Sequence, residues 1–205
     1  MKTKLIIPLL LSLLLCGCSY IEPDAQYTVT AIGFEGGVQD RLYLQMNDPA
    51  RSTEASSVFS AQGKGKNPSD ALDDIRSSLS KTPSFGHCQI IVVSSEVGRE
   101  SLNRLLELCI ELGTPLGCPI VCTKQLESFF EEKGSFTGGD AAALLNKNAE
   151  YFGYGAHTAL FEIKTALLME ESKFALPILE IRENNLKING LHYFSRDVAE
   201  LGGVG

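Results

Sequence analysis

The sequence predicts an α/β protein: a mixed sheet with flanking helices, followed by a helical plus β-hairpin segment. Three observations predict it. Strand-like and helix-like patterns alternate between His87 and Lys133 in the order of a β-α-β unit. Tyr27–Glu35, YTVTAIGFE, opens the body with β-branched and polar residues in alternation. Near the end, two β-rich runs, Leu176–Glu183 and Leu186–Phe194, meet at Asn184-Asn185, a pattern expected of a hairpin.

The chain begins with a leader rather than with the fold. Lys2 and Lys4 precede an apolar run, Leu5–Leu15, of eleven residues. That length suits a signal peptide and falls well short of the roughly 20 residues a spanning helix needs. Leu15-Cys16-Gly17-Cys18 follows, with Leu three residues before Cys18 and small residues between. This tetrad resembles the bacterial lipobox, which implies removal of residues 1–17 and lipid on Cys18; Cys16, with Leu directly before it, fits the acceptor role less well. Two or three acyl chains, at about 0.8 kcal/mol per buried methylene, hold a protein stably at a membrane surface. Cys18 is therefore the expected lipidation site, and residues 18–205 the expected exported body.

After the first strand and a Gly36-Gly37 turn, Arg41–Met46 reads as a second strand. Asn47–Ser57 lacks apolar periodicity and reads as a surface loop. Val58–Gln62 is a short strand, and Gly63-Lys64-Gly65-Lys66-Asn67-Pro68 a flexible connection. From Ser69 the period becomes helical: Ala71, Leu72, Ile75 and Leu79 share a face, Ser69 is the expected cap, and Asp70, Asp73 and Asp74 suit the positive end of the dipole. His87–Ser94 reads as a buried strand. Leu102, Leu105, Leu106, Cys109 and Leu112 repeat at helical spacing, closed by Gly113 and Pro115. Cys118–Thr123 is a further strand, and Leu126, Phe129 and Phe130 start a helix that Gly134 ends. Asp140–Tyr151, with Asp140 as cap, and His157–Glu171 read as helices, and the Gly-rich 134–139 stretch is where a subdomain break is expected.

Removing residues 1–17 takes away Lys2 and Lys4 and no acidic residue, leaving 16 basic against 25 acidic side chains, a net charge of −9 over 188 residues. Such a body, without a basic cluster, is a poor partner for nucleic acid or anionic headgroups. Tryptophan is absent, which disfavours a sugar or drug pocket. Gly63-Lys64-Gly65-Lys66 fails the phosphate-loop pattern, since Asn67-Pro68 stands where Ser or Thr is required.

No catalytic centre, cofactor site or metal site is predicted. His87 is either a proton-sensitive contact or a residue that satisfies backbone groups at a strand start, and the absence of a neighbouring acid, Ser or second His favours the latter. His157 and His192 are isolated in sequence and read in the same way. Cys118 and Cys122, on a strand, stand about 13 Å apart, too far for one zinc or one disulfide. Cys88 and Cys109 suit small buried hydrophobes, with a disulfide between neighbouring elements as the alternative outside the cytoplasm.

Several segments, in order, resemble the C-subunit lipoproteins of spore germinant receptors, the Ger(x)C family. These are the strand Tyr27–Gly33 behind Cys18, Gly65-Lys66 leading into Asp70-Ala71-Leu72, and Phe85-Gly86-His87 before Ile90–Val93 and Ser95-Glu96-Val97-Gly98. Leu176-Pro177 and Ile188-Asn189-Gly190-Leu191 before Phe194 complete the series. Two features depart from the family pattern: Ser19-Tyr20-Ile21 stands where a Trp is usual, and the family's C-terminal domain finds no counterpart before Gly205.

The resemblance implies a non-catalytic, membrane-anchored subunit on the outer face of the spore inner membrane. It would associate with integral-membrane A and B subunits and serve nutrient-triggered germination. The alternatives are a solute-binding or generic envelope lipoprotein, and a thiol enzyme using Cys88, Cys109, Cys118 or Cys122.

Overall fold

The structure is a computed structural model that describes residues 25–51, 58–131, 136–152, 159–169, 173–183 and 185–195. Residues 1–17, read above as a leader, and Cys18, His157 and Gly134 lie outside the described residues. Among those described, the strands are β1 (Gln26–Glu35), β2 (Asp40–Asn47), β3 (Val58–Gly65), β4 (Thr82–Ser84), β5 (Ile90–Ser94), β6 (Ile120–Thr123), β7 (Lys173–Arg182) and β8 (Asn185–Ser195). The helices are α1 (Pro68–Ser78), α2 (Arg99–Glu111), α3 (Leu126–Phe130), α4 (Gly138–Phe152) and α5 (Leu160–Leu168).

All eight strands join one mixed sheet in the order β3-β2-β1-β5-β6-β7-β8, with β4 beside β1. The β1/β5, β5/β6 and β6/β7 pairs are parallel, while β1/β2, β2/β3 and β7/β8 are antiparallel. Strand β4 pairs with the first residues of β1 and β5 with the later ones, so the two run in line along one edge of β1, interrupted by the Phe85–Gln89 turn. The expected β-α-β order thus produces the parallel centre, and the hairpin extends the same sheet through the Cys122–Ile178 pair.

Side chains alternate across the strands, so each face of the sheet meets its own helices. Ile91 and Val93 of β5 enter a core with α1, α2 and α5, built on Leu72, Ile75, Leu102, Leu105, Leu160 and Ile163. Ile90 and Val92 enter a second core with α3 and α4, built on Phe129, Phe130, Ala141 and Leu145. Val29 and Ala31 have the spacing of same-face residues yet serve opposite cores. The cause is a β-bulge: Val29 pairs with Met46 and Ala31 with Gln45, leaving Thr30 as the extra residue. A second irregularity sits in the hairpin, where Pro177 pairs with Leu191 and Leu179 with Ile188. Gly190 takes a φ of 83°, a conformation glycine adopts without steric cost. The Ile188-Asn189-Gly190-Leu191 segment is therefore a bulge inside β8.

Several sequence expectations need correction. Asn67, not Ser69, caps α1: its side chain accepts the Asp70 amide at 2.9 Å, and Pro68 occupies the first helical turn. Gly63-Lys64-Gly65 is the end of β3, not a flexible connection. Thr137 caps α4, its Oγ1 accepting the Asp140 amide, while the Asp140 carboxylate accepts the Thr137 amide in return. His87 and Cys88 precede β5 rather than belonging to it, and Thr82–Ser84 forms a strand that the sequence reading missed. Asn185 already lies in β8, and Glu183, with φ of 48°, directly follows β7; residue 184 is outside the described residues.

The end of α2 follows expectation. Gly113 sits at φ 76°, its amide bonds Ile110 O, and the Thr114 amide bonds Cys109 O, the two bonds of a Schellman cap.

Candidate functional site

Three features define the surfaces through which this domain can act: the end of the sheet nearest the N-terminus, a cavity on the α3 side, and a group of buried thiols.

The sheet end is organised around Tyr27, the second residue of β1. Its ring packs edge-on against Phe59 with centroids 4.9 Å apart, and its hydroxyl lies 2.9 Å from Ser80 Oγ. The Lys81 ammonium sits over the same ring and pairs with Asp48 at 2.7 Å. A cavity of about 270 Å³ opens beside it, lined by Arg76, Ser80, Lys81 and Pro83 among others. Ala25, the first described residue, also lines it.

On the other side of the sheet, Tyr43 stacks on Phe130 with centroids 5.5 Å apart. Together with Gln62, Glu127 and Glu131 these rings line a second cavity of about 210 Å³. Burial pushes the Tyr43 hydroxyl above its ordinary range, against a hydrogen bond from Arg41 that lowers it. Arg41 also pairs with Glu35 at 3.4 Å. The rim is acidic and the floor aromatic.

The glycines of the family-like segments explain themselves through packing. A Cβ built on Gly65 would stand 2.4 Å from the Ala71 amide nitrogen, and one on Gly63 would stand 2.2 Å from Ala71 O. Helix α1 therefore lies directly on the edge strand β3. The Lys64 amide donates to the Asp74 carboxylate at 3.0 Å, satisfying a group that an open edge would leave for another chain. The GKGK segment is a helix seat, not a phosphate cradle. Gly33 similarly receives the Phe130 ring.

Phe85 is buried and anchors the Phe85-Gly86-His87 turn, in which the Cys88 amide bonds Phe85 O. His87 is exposed and no described residue hydrogen-bonds its ring, so it does not satisfy backbone groups as expected. His192 lies in β8 with its ring edge-on to Phe194, centroids 4.8 Å apart.

All four cysteines of the described residues are free and buried. Burial pushes the Cys109 thiol well above its ordinary range and raises Cys122 to about 12. Cys118 is pushed up further by its hydrogen bond with Cys88 and by burial. A nucleophilic cysteine needs the opposite environment, exposed and electropositive. Among the described residues Cys88 and Cys118 meet in the core, while His87 stands exposed; Cys18 lies outside them. The Lys164 ammonium, which sequence reading passed over, ties α5 to α2 by reaching Asn103 and Glu107, both at 2.7 Å.

Two packed cores on a mixed sheet, with surface cavities and inward-turned thiols, define an α/β domain. The chain belongs to the spore germination protein N-terminal domain family, whose model matches residues 19–181, and it is accordingly a spore germination protein. No match was found among curated proteins or among solved structures. No described helix is long and apolar enough to cross a membrane.

Proposed function

We propose that this chain is the lipid-anchored C-type subunit of a nutrient germinant receptor, non-catalytic, and tethered through Cys18 to the outer face of the spore inner membrane. In this reading residues 1–17 are the leader and the domain begins at Cys18. It works by contact with the integral-membrane A and B subunits, carrying assembly or signal relay while nutrient recognition rests mainly with them.

The observation that carries this reading is the place where the family match starts, residue 19, directly after the lipobox cysteine. Strand β1 begins at Gln26, eight residues beyond Cys18. A chain of that length reaches at most about 26–29 Å when fully extended. A lipid on Cys18 would therefore hold the sheet end around Tyr27 and Lys81 close to the bilayer, within reach of membrane subunits. The inward-turned thiols favour a contact role over thiol chemistry.

The test is affinity capture of the full chain from detergent-solubilised spore membranes. A many-spanning transporter-like protein and a membrane protein with a large soluble head should be captured with it. Capture of the chain alone, from membranes that contain both, contradicts the receptor role.

A further inference from the structure

Cys88 and Cys118 come from turns that do the same job on neighbouring strands. Cys88 closes the turn before β5 through its amide bond to Phe85 O, and Cys118 closes the turn before β6 through its bond to Pro115 O. Parallel pairing of β5 with β6, from Ile91–Ile120 onward, holds the two turns side by side. The sulfur atoms lie 3.8 Å apart, in direct contact, with a separation of 30 residues along the chain. Leu160 adds a further constraint by donating its amide to Cys118 O at 2.9 Å.

We propose that Cys88 and Cys118 are a disulfide site, closed when the chain folds in an oxidising compartment, so that the turn before β5 is tied covalently to the turn before β6. A disulfide brings the sulfurs to about 2.05 Å. From 3.8 Å the sulfurs have about 1.8 Å left to close. Cys122 lies within β6, its sulfur facing the carbonyl oxygens of Pro177 and Leu176 at 3.6 and 3.9 Å. Cys109 lies on α2, in the same core, and tests whether the pairing is selective.

The reaction is exchange with a disulfide oxidant. One thiolate attacks the oxidant's sulfur and releases the first thiol; the second cysteine then attacks the mixed disulfide and releases the second. Two electrons and two protons leave the pair, one S–S bond forms, and the oxidant departs as two thiols. Cys88 and Cys118 are only 5% and 3% exposed, so attack belongs to the folding chain, before α2 and α5 cover them. Once folded, the pair keeps the redox state in which it was buried. The compartment in which this happens rests on the proposed export, whereas the pairing rests on geometry alone, and the test separates them.

The full chain is denatured with reductant, then refolded in mixed reduced and oxidised glutathione, alkylated, digested and analysed by mass spectrometry. The expected product joins the Cys88 and Cys118 peptides, two hydrogen atoms lighter than their sum, with Cys109 and Cys122 alkylated. Cys109→Ser should leave the link in place. Alkylation of Cys88 and Cys118, or a link from either to Cys109, overturns the proposal. Fractionation of cells making the full chain reads location separately: recovery of the chain in the soluble fraction contradicts the lipid tether and leaves the refolding result as the judge of the pair.

Discussion

The Gly138 amide donates to Gln45 Oε1 at 2.7 Å, joining residues 93 positions apart. Gln45 Nε2 donates to Phe136 O at 3.0 Å, and Thr30 Oγ1 lies 3.4 Å from Gln45 Oε1. One nearly buried side chain on β2 thus pins the start of α4 to the bulge in β1, where a Cβ on Gly138 would meet Thr30 O at 2.5 Å. Because the bulge turns Ala31 into the α4 core, this latch decides how the helix after the Gly-rich stretch is seated.

Gln45→Leu should remove about 2–4 kcal/mol of stability, since it strands the Gly138 N–H and the Phe136 carbonyl at a site with little access to water. Urea unfolding of the full chain measures it. A change under about 0.5 kcal/mol would mean that the latch is not structural.

Gly65→Ala should cost about 1–3 kcal/mol, because the new methyl meets the backbone of α1 rather than a side chain that can turn aside. Gly86→Ala is the control. No atom stands within 4 Å of a Cβ there, and the change should stay within about 0.5 kcal/mol. The same denaturation experiment compares them.

These two positions show what was legible in the sequence. The strand-helix alternation from β5 to α3 and the closing β7/β8 hairpin could be read because apolar period and turn residues act locally. Glycines at 63 and 65 looked like flexibility, since the helix that lies on them is a tertiary neighbour that no local pattern reveals. The Asn67-Pro68 pair did carry a readable signal: Asn before Pro is a cap followed by its preferred first residue, and it outranks Ser69. Strand β4 is three residues long and includes Pro83, so propensity could not have found it. The Thr30 bulge was hidden because it breaks the alternation on which strand reading depends.

Asp40 gives a pH dependence of defined sign. The carboxyl is 1% exposed, accepts the Gly37 amide at 3.3 Å, and stands 3.9 Å from an Arg104 nitrogen. Burial raises its pKa above the ordinary carboxylate value, outweighing the Gly37 bond and Arg104, which lower it. For a carboxyl raised on folding, the stabilising contribution is complete below the unfolded pKa, about 3.9, and is lost as pH rises through the native one. The stability difference between Asp40→Asn and the unaltered protein should therefore shift in favour of the variant as pH rises from 4 to 7. Urea unfolding across that range checks it; a difference independent of pH contradicts the burial of a costly charge.

Cys109 and Cys122 should resist thiol reagents in the folded state. With a pKa of about 12, Cys122 holds a thiolate fraction on the order of 10⁻⁴ at pH 8. Both should label only at the rate of unfolding, in a time course with and without denaturant. Rapid labelling of either in the native protein would reopen the thiol-enzyme reading.

The proposed tether on Cys18 would connect this domain to its proposed place in a receptor, and one measurement bears on it most directly: nutrient-triggered germination of spores whose chromosomal copy carries Cys18→Ala, followed by the fall in optical density. The account predicts loss of the response to the nutrients served by this receptor, matching a deletion strain, while the altered chain leaves the membrane fraction. Germination at the unaltered rate on every nutrient tested would contradict it.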